Sequence, residues 1–347
     1  MPRVVVVVVT HNSAHDLERC GRSLERALGG RGEASPLVVD NGSTDGTPQR
    51  LRAAFPDWEL IANAHNLGFA AACNLGIRRA RELGAEFVYL LNPDTEVEPD
   101  FLARALEVAA ASERVGAVQS LLLLDPERHL VDSAGNAIHF LGFGYCLGHR
   151  RPRAEVDATP SEIGFPSGAA VLLRRAALDA VGELDEELFL YGEDLDLGWR
   201  LWMGGFECRL AARSLVYHRH EFARSPEKYF LLERNRWLVL RKNLSRRSLA
   251  VLYPWLLLDE LALVVIAASQ GWFGQKVRSW RALLDRGLRA RRRAARRQVQ
   301  ALRVRDDREV LARCTTRMDV PGVTGPLIRR LVNPCLGLLW RGLRPLL

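Results

Sequence analysis

Short apolar runs alternate with longer amphipathic stretches along the N-terminal third of the chain. Val4–Val9 and Phe87–Leu91 are continuously apolar or aromatic, which is typical of strands that are buried on both faces of a sheet. Leu37–Val39 and Leu60–Ala62 are shorter runs, and the segments between the runs have helical spacing. Because strands that are separated by helices of this length pair in parallel, the pattern predicts an α/β fold with right-handed crossovers.

Polar residues follow three of these predicted strands. They are Thr10–Asn12, Asp40–Thr47 and Asn92–Asp94. Pro93 cannot donate to a sheet ladder and favours extended backbone at Asn92, so the last of these strands ends there. Ligands of open α/β sheets bind at the carboxyl ends of the strands. At this edge Asp94 can hold a hard cation that grips a diphosphate, or it can cap the helix that is expected from about Pro99.

The middle of the chain is less regular and predicts strands of a mixed sheet. Pro166–Leu173 reads as a strand whose first residues are small enough for a ligand to approach the backbone. Glu193 and Asp194 open a helical run to Met203. Carboxylates at a helix N-terminus are held in the ionised form that a general base needs, although acidic residues at this position also serve simply as caps.

A further strand is predicted over Arg209–Tyr217, and it ends at His218 and His220. A histidine after a strand is usually structural or solvated. Beside an acidic rim, however, the same histidine is a suitable ligand for a metal ion. The residues alone leave both interpretations open.

The totals limit the class of protein. A length of 347 residues allows one large domain or two ordinary ones, and the apolar content excludes global disorder. Six cysteines are scattered without metal-ligand or redox spacing, which predicts reduced thiols in a cytosolic protein. The formal charge of +8 is concentrated in the last third. It is compatible with anionic membranes, phosphate-bearing ligands or nucleic acid, but no recognition motif for nucleic acid accompanies it.

The region from residue 226 to 347 is helical, basic and amphipathic in pattern. Its most apolar segment, Leu249–Ala268, carries Asp259 and Glu260 in mid-run. Each acid would cost about 2.5–3.5 kcal/mol at a bilayer centre, so we expect interfacial attachment rather than a spanning helix. The side chains expected at the lipid boundary are Trp255, Leu256, Leu257, Trp272 and Phe273, with Arg246, Arg247 and Lys276 on anionic lipid. Residues 327–347 suit a surface helix or a contact in a homo-oligomer.

Six motifs in order resemble the family 2 glycosyltransferases, which have the GT-A fold. They are Val9–Ser13, Val39–Thr47, Asn66–Asn74, Leu91–Asp94, Tyr191–Asp196 and Val216–His218. The resemblance runs from residue 4 to about residue 245, and two of its motifs look most like bacterial rhamnosyltransferases of polysaccharide assembly. It implies a Rossmann-like mixed sheet flanked by helices over residues 1–225, with a nucleotide-binding half (1–115) and an acceptor half (116–225), followed by a helical region (226–347).

The resemblance also implies roles for individual residues. The nucleotide would be bound by Thr10, Asn12, Asp40, Asn66, Gly68 and Asn74. A divalent cation, Mn²⁺ or Mg²⁺, would be held by Asp94 and His218, and Asp194 would deprotonate the acceptor hydroxyl. The sugar and acceptor pocket would be shaped by Ser167, Gly168, Glu193 and Trp199.

The implied activity is inverting transfer of a sugar from a nucleotide-diphosphate donor to a lipid-linked or cell-envelope glycan, at the inner face of the cell membrane. Asp40 would accept a hydrogen bond from uracil or thymine alike, so UDP and dTDP donors are both allowed, including dTDP-rhamnose. One residue departs from the family pattern, because Asn92 stands where the metal motif usually has an acid. This departure leaves open a catalytically silent nucleotide-sugar-binding protein, and a nucleotidyltransferase would have similar metal needs.

Overall fold

A computed structural model describes residues 3–29, 34–219, 225–318, 325–326 and 328–347. The chain divides into two compact units. The first comprises residues 1–136, 146–201 and 206–221, and the second comprises residues 137–145, 202–205 and 222–347. The second unit therefore includes two short segments that lie well before residue 226 in the sequence.

The first unit begins with a parallel α/β arrangement, as the hydrophobic pattern predicts. Its strands are β1 (Val4–Thr10), β2 (Ala34–Asp40), β3 (Glu59–Ala62) and β4 (Phe87–Leu91), separated by helices α1 (Leu17–Leu28), α2 (Thr47–Ala54) and α3 (Phe69–Glu82). Every residue of β1 is buried, in keeping with its run of valines. Thr10 pairs with Asp40 and Asp40 with Ala62, so the strands end level with one another.

The sheet then becomes mixed. The next elements along the chain are β5 (Thr95–Val97), α4 (Phe101–Ala110), β6 (Val115–Leu124), β7 (Val131–Ser133), β8 (Asn136–Ile138), β9 (Gly144–Cys146), β10 (Ser161–Glu162), β11 (Ala170–Arg174), α5 (Arg175–Val181), α6 (Glu193–Met203) and β12 (Glu207–His218). Of these, β8 and β9 lie mostly in the second unit. The strand order is β10-β12-β6-β11-β4-β1-β2-β3, with β5 on β12 and β7 on β6. β8 and β9 form a separate two-stranded sheet.

The start of β11 and the presence of β5 both differ from the prediction. The strand expected from Pro166 begins at Ala170, because Ala170 N–H donates to the Ser167 carbonyl in a turn. The three residues of β5 were not predicted, because so short a strand forms only through its pairing with the end of β12.

Strand directions bring several chain ends to one edge of the sheet. β6 and β12 are parallel to each other, and both are antiparallel to β11, which in turn is antiparallel to β4. The carboxyl ends of β1, β2, β4, β6 and β12 therefore share an edge with the amino end of β11. We call this edge the polar rim, defined by Thr10, Asp40, Asn92–Asp94, Ser167–Gly168 and His218.

The second unit is helical. Its helices are α7 (Pro226–Asn243), α8 (Arg246–Ser269), α9 (Phe273–Leu284), α10 (Arg286–Ala301), α11 (Asp307–Val310) and α12 (Asn333–Leu343). Among the described residues, α8 is the one helix whose length and apolar composition would allow it to cross a membrane. Its two acids decide which face of α8 is polar.

Asp259 and Glu260 face a buried charge cluster between α7, α8 and α9. Arg236 donates to Asp259 at 2.6 Å and to Glu260 at 2.8 Å. Lys276 is fully buried and pairs with Glu260 at 2.9 Å and with Glu233. Three acids share two bases in this cluster, so that each charged side chain has an oppositely charged partner, as buried ions require.

The opposite face of α8 is apolar and exposed. Its large side chains in contact with solvent are Tyr253, Leu257, Leu258, Leu261, Val265 and Ile266. The sequence-based assignment of lipid contacts is therefore wrong for Lys276, Leu256 and Trp272, which are buried, whereas Leu257 and Phe273 are exposed. Helical spacing identified the apolar segment, but the partners of Lys276 come from distant positions in the sequence.

Candidate active site

The part of the rim that follows β1 and β2 is organised around the Asp40 carboxylate. Thr10 Oγ1 donates to Asp40 Oδ1 at 2.9 Å, Ser43 Oγ donates to the same oxygen at 2.5 Å, and Ser43 N–H donates to Oδ2 at 3.0 Å. Asp40 is only 2% exposed. Its carboxylate is therefore rigidly oriented at the end of β2.

Asn12 joins the loops that follow β1 and β2. It adopts a positive φ of 52°, and its Oδ1 accepts a hydrogen bond from Thr44 N–H at 2.8 Å. Its own N–H donates to Ser43 Oγ at 2.8 Å. Asn12 is exposed at the rim, so its side chain both shapes the loop and borders solvent.

Asn41, which the sequence reasoning did not single out, ties the second loop to the third. Asn41 Nδ2 donates to Asn66 Oδ1 at 2.9 Å and to the Gly68 carbonyl at 3.2 Å, and its Oδ1 accepts from Leu67 N–H at 3.0 Å. Gly68 has a φ of 91°, and a Cβ there would lie 2.5 Å from the Phe189 ring. Glycine is required at this position both by the backbone conformation and by the close approach.

Asn74 lies away from solvent, at 1% exposure. Its Nδ2 donates to the Leu184 carbonyl at 2.9 Å, and its Oδ1 accepts from Leu184 N–H at 3.0 Å. It also donates to Glu186 at 2.9 Å. These contacts favour a positioning role for Asn74 over direct nucleotide contact, because its polar atoms are already engaged.

Asp94 and His218 meet at the rim. His218 Nε2 lies 3.4 Å from Asp94 Oδ1, which is buried and accepts no hydrogen bond within the described part of the chain. An oxygen atom and a nitrogen atom at this separation can bind the same divalent cation, each at a distance of about 2.0–2.2 Å. The donor set therefore fits Mn²⁺ or Mg²⁺.

The protein supplies few ligands for such an ion. No group of three or more His, Cys, Asp or Glu residues suited to a metal occurs among the residues that the structure describes. Mg²⁺ is often bound by one or two side chains together with substrate phosphates and water. Two protein ligands are consequently enough for an ion that is also bound by the diphosphate of a substrate.

His218 is held between two acids. Its Nδ1 lies 2.8 Å from Asp132 Oδ2. Burial lowers the pKa of His218, but the hydrogen bond with Asp132 and the negative charges of Asp94 and Asp132 outweigh this effect and raise the pKa to about 9. Asp132 carries no motif signal in the sequence, and only the pairing of β7 with β6 brings it to this position.

Asn92 holds the backbone of the loop that carries Asp94. Its N–H donates to the Ala169 carbonyl at 2.9 Å, and its carbonyl accepts from Thr95 Oγ1 at 2.6 Å. These main-chain contacts do not depend on the side chain at position 92. The hydrogen bonds that hold the loop of Asp94 therefore do not require an acidic side chain at position 92.

Two adjacent carboxylates open α6. Burial raises the pKa of Asp194 to about 6, although hydrogen bonds from the backbone N–H groups of Leu195 and Gly168 oppose this rise. Burial and the neighbouring Asp194 charge raise the pKa of Glu193 to about 8. At neutral pH Asp194 is the ionised member of the pair, which is the state of a general base.

The acceptor residues occupy different environments. Ser167 is half-buried, and its N–H donates to Gln119 Oε1 at 2.7 Å. Gly168 contacts Asp194 through its backbone. Trp199, which the resemblance places at the pocket, is fully buried, so its side chain offers no surface to a ligand.

A buried ion pair in α6 was also not predicted from the sequence. Asp196 accepts from Arg200 Nε at 2.8 Å, and both side chains are buried. Arg200 donates further to the carbonyls of Val181, Gly182 and Glu183. The i, i+4 spacing of the pair was visible in the sequence, and the structure shows that it anchors α6 to the preceding loop.

Comparison with known proteins agrees with this geometry. Residues 5–182 match the Glycosyl transferase family 2 profile. The chain belongs to that family. It is also 30% identical over 284 residues to the N-acetylglucosaminyl-diphospho-decaprenol L-rhamnosyltransferase of Mycobacterium tuberculosis, an alignment that covers 70% of this chain and 91% of that protein. A second relative in the same organism, a pre-mycofactocin glycosyltransferase, is 30% identical over 225 residues, covering 62% of this chain and 43% of that protein.

Solved structures share the GT-A fold. The mannosyltransferase PcManGT of Pyrobaculum calidifontis, in complex with GDP-Man and Mn²⁺, matches with a TM-score of 0.52 and 18% identity, covering 87% of this chain and 86% of that one. GalNAc-T7 with UDP, GalNAc and Mn²⁺ matches with a TM-score of 0.59 and 16% identity, covering 73% of this chain and 50% of that one. The protein is thus a glycosyltransferase with the GT-A fold.

Proposed function

We propose that this glycosyltransferase is a metal-dependent, inverting enzyme that uses a UDP- or dTDP-sugar. The observation that carries the proposal is the polar rim, where Asp40 and the Asp94–His218 pair share one edge of the sheet and Gly168 of the same edge contacts Asp194 of α6. Along this edge the protein would offer a hydrogen-bond acceptor for the nucleoside, a cation site for the diphosphate and a base for the attacking hydroxyl.

Asp94 and His218 would hold Mn²⁺ or Mg²⁺ together with the donor diphosphate. When bound, the cation would neutralise the charge that develops on the leaving nucleoside diphosphate. Asp94 Oδ1 is buried without a hydrogen bond from the described residues, which supports this assignment because a buried carboxylate oxygen needs a compensating partner.

Asp194 would accept the proton of the acceptor hydroxyl as that oxygen attacks the anomeric carbon. The new bond to the acceptor oxygen forms as the bond to the diphosphate breaks, on the opposite face, so the anomeric configuration inverts. The raised pKa of Asp194 supports this role, because a base near neutrality accepts a proton more readily than an ordinary carboxylate.

The choice of donor would rest on the loops that follow β1, β2 and β3. Asp40 presents a fixed carboxylate that can accept the imide N–H of uracil or thymine, while Thr10, Asn12, Asn66 and Gly68 would border the nucleoside and diphosphate. We favour dTDP-rhamnose among these donors, because the relative that matches most of this chain is named as an L-rhamnosyltransferase.

The acceptor would be a lipid-linked or cell-envelope glycan at the cytoplasmic face of the membrane. The same relative is named for a diphospho-decaprenol acceptor, which is a lipid. The exposed apolar face of α8, together with Arg246 and Arg247 at its exposed amino end, supports peripheral attachment to anionic lipid.

Thermal shift with UDP, dTDP and GDP, each with and without Mn²⁺, tests the donor site. We expect stabilisation by UDP or dTDP that requires Mn²⁺ and is lost in Asp94→Ala. Asp57→Ala removes an exposed acid that precedes β3, away from the polar rim, and should keep the wild-type response. Failure of every nucleotide to stabilise the wild type with Mn²⁺ present would overturn the donor assignment and favour a catalytically silent protein.

A further inference from the structure

The position of Asp132 depends on an irregularity in the sheet. β7 pairs antiparallel with β6, but Leu122 is opposite Ser133 whereas Leu123 is opposite Val131. Asp132 is therefore the extra residue of a β-bulge. Bulges redirect a side chain out of the regular alternation and are frequent beside active sites.

The redirected carboxylate reaches His218 on the other neighbour of β6. β12 also pairs with β6, with His218 opposite Leu124. Asp132 Oδ2 lies 2.8 Å from His218 Nδ1, and both residues are buried, at 6% and 5% exposure. A polar contact that is built across a strand and shielded from water holds the imidazole ring in one orientation.

The second carboxylate oxygen has its own partner. His149 Nδ1 lies 3.4 Å from Asp132 Oδ1 and 3.0 Å from the Asp132 carbonyl oxygen. The Asp132 carboxylate is fixed at both oxygens, and Oδ2 stays directed at His218.

The two ring nitrogens of His218 consequently face different groups. Nδ1 faces Asp132, and Nε2 faces Asp94 Oδ1 at 3.4 Å. A cation that binds Nε2 displaces the proton of that nitrogen, and a carboxylate that accepts a hydrogen bond from Nδ1 keeps the remaining ring proton on Nδ1. Carboxylate–histidine–metal arrangements of this kind orient the ring and increase ligand basicity.

We propose that Asp132 is a positioning residue for the metal site, and that it selects the His218 tautomer whose Nε2 binds the cation. This inference rests on the metal site of the proposed function. Asp132 touches neither cation nor substrate, and its effect passes through His218. Loss of such a partner typically weakens metal binding by about 10–100-fold.

The test measures Mn²⁺ affinity apart from activity. Free Mn²⁺ is followed by electron paramagnetic resonance, with UDP or dTDP at saturation, for the wild type and for Asp132→Asn, a variant of nearly the same shape. We expect the Kd for Mn²⁺ to rise about 10–100-fold in Asp132→Asn. Nucleotide affinity without metal should be unchanged, and Asp157→Asn, on an exposed loop, should match the wild type in both.

The outcomes separate this inference from the proposed function. If Asp132→Asn binds Mn²⁺ as tightly as the wild type does, the role of Asp132 is overturned while the metal site stands. The same holds if the variant loses as much nucleotide affinity without metal as it loses Mn²⁺ affinity. No Mn²⁺ binding by the wild type with either nucleotide overturns both.

A measurement on the wild type covers the case in which Asp132→Asn does not fold. In protein that carries ¹⁵N-histidine and is saturated with Mg²⁺ and UDP or dTDP, the His218 signals are identified by their loss in His218→Gln. We expect a neutral ring that is protonated at Nδ1. Protonation at Nε2 in the Mg²⁺-loaded protein would overturn the inference.

Discussion

At the scale of single residues, the candidate site depends on carboxylates that are placed in different environments. Asp40 is surrounded by hydroxyl and amide donors, whereas Glu193 is buried with one oxygen that accepts no hydrogen bond from the described residues. Asp194 lies between these extremes, partly buried but contacted by backbone N–H groups. In the proposed function these similar side chains can therefore take different parts: Asp40 accepts a hydrogen bond from the nucleobase, Glu193 carries a proton and Asp194 accepts one.

Glu193→Gln tests this difference through stability. The pKa of Glu193 is about 8 in the folded protein, above its ordinary value of 4.5, so folding favours the protonated form. The stability that this provides is present below pH 4.5 and is lost as the pH rises towards 8. Glutamine does not titrate. Relative to the wild type, the variant should therefore gain about 2–4 kcal/mol between pH 5 and pH 8.

Urea unfolding at the two pH values measures this gain. Glu155→Gln replaces an exposed acid and should show no pH-dependent difference from the wild type. A Glu193→Gln variant whose stability follows the wild type at both pH values would show that Glu193 is ionised when folded.

At the scale of elements, Asn74 connects α3 to the loop before α6. Asn74→Ala would leave the Leu184 N–H and carbonyl groups without their partners, which should cost about 2–4 kcal/mol in the free energy of unfolding. UDP or dTDP affinity should change less than about threefold under conditions where the variant is folded. A large loss of nucleotide affinity at unchanged stability would instead support the direct contact that the family resemblance implies.

Helix α8 should act as an interfacial element. Its apolar face is exposed, while Asp259 and Glu260 are paired with Arg236 on the polar side. We expect Leu258→Glu with Leu261→Glu to reduce sedimentation with phosphatidylglycerol vesicles at least tenfold. A control, Val304→Glu, changes an apolar residue that is 75% exposed outside α8, and it should sediment like the wild type.

Equal sedimentation of the α8 variant and the wild type would exclude this face as the lipid contact. Vesicles of phosphatidylcholine alone separate the apolar contribution from that of Arg246 and Arg247, since only the charged lipid attracts them.

At the scale of the whole molecule, local pattern predicted the parallel strands, the mixed sheet, the helix at Glu193 and the residues of the polar rim. These features follow from apolar runs and from motifs within a few residues. Asp132, the Arg236 cluster and the burial of Lys276 and Trp199 were not predictable, because each depends on contacts between residues that are far apart in the sequence. The bulge that directs Asp132 has no local signature at all.

In the proposed mechanism Asp194 is the general base, and an ion at Asp94 and His218 assists a transfer that inverts the anomeric carbon. Proton NMR tests it by following the anomeric signal of sugar released from the UDP- or dTDP-sugar that binds, with Mn²⁺ present and before mutarotation. We predict that the first sugar formed has the anomeric configuration opposite to that of the donor. Release should fall at least 100-fold in Asp194→Asn and after chelation of the metal. Retained configuration, or undiminished release in Asp194→Asn, would contradict the account.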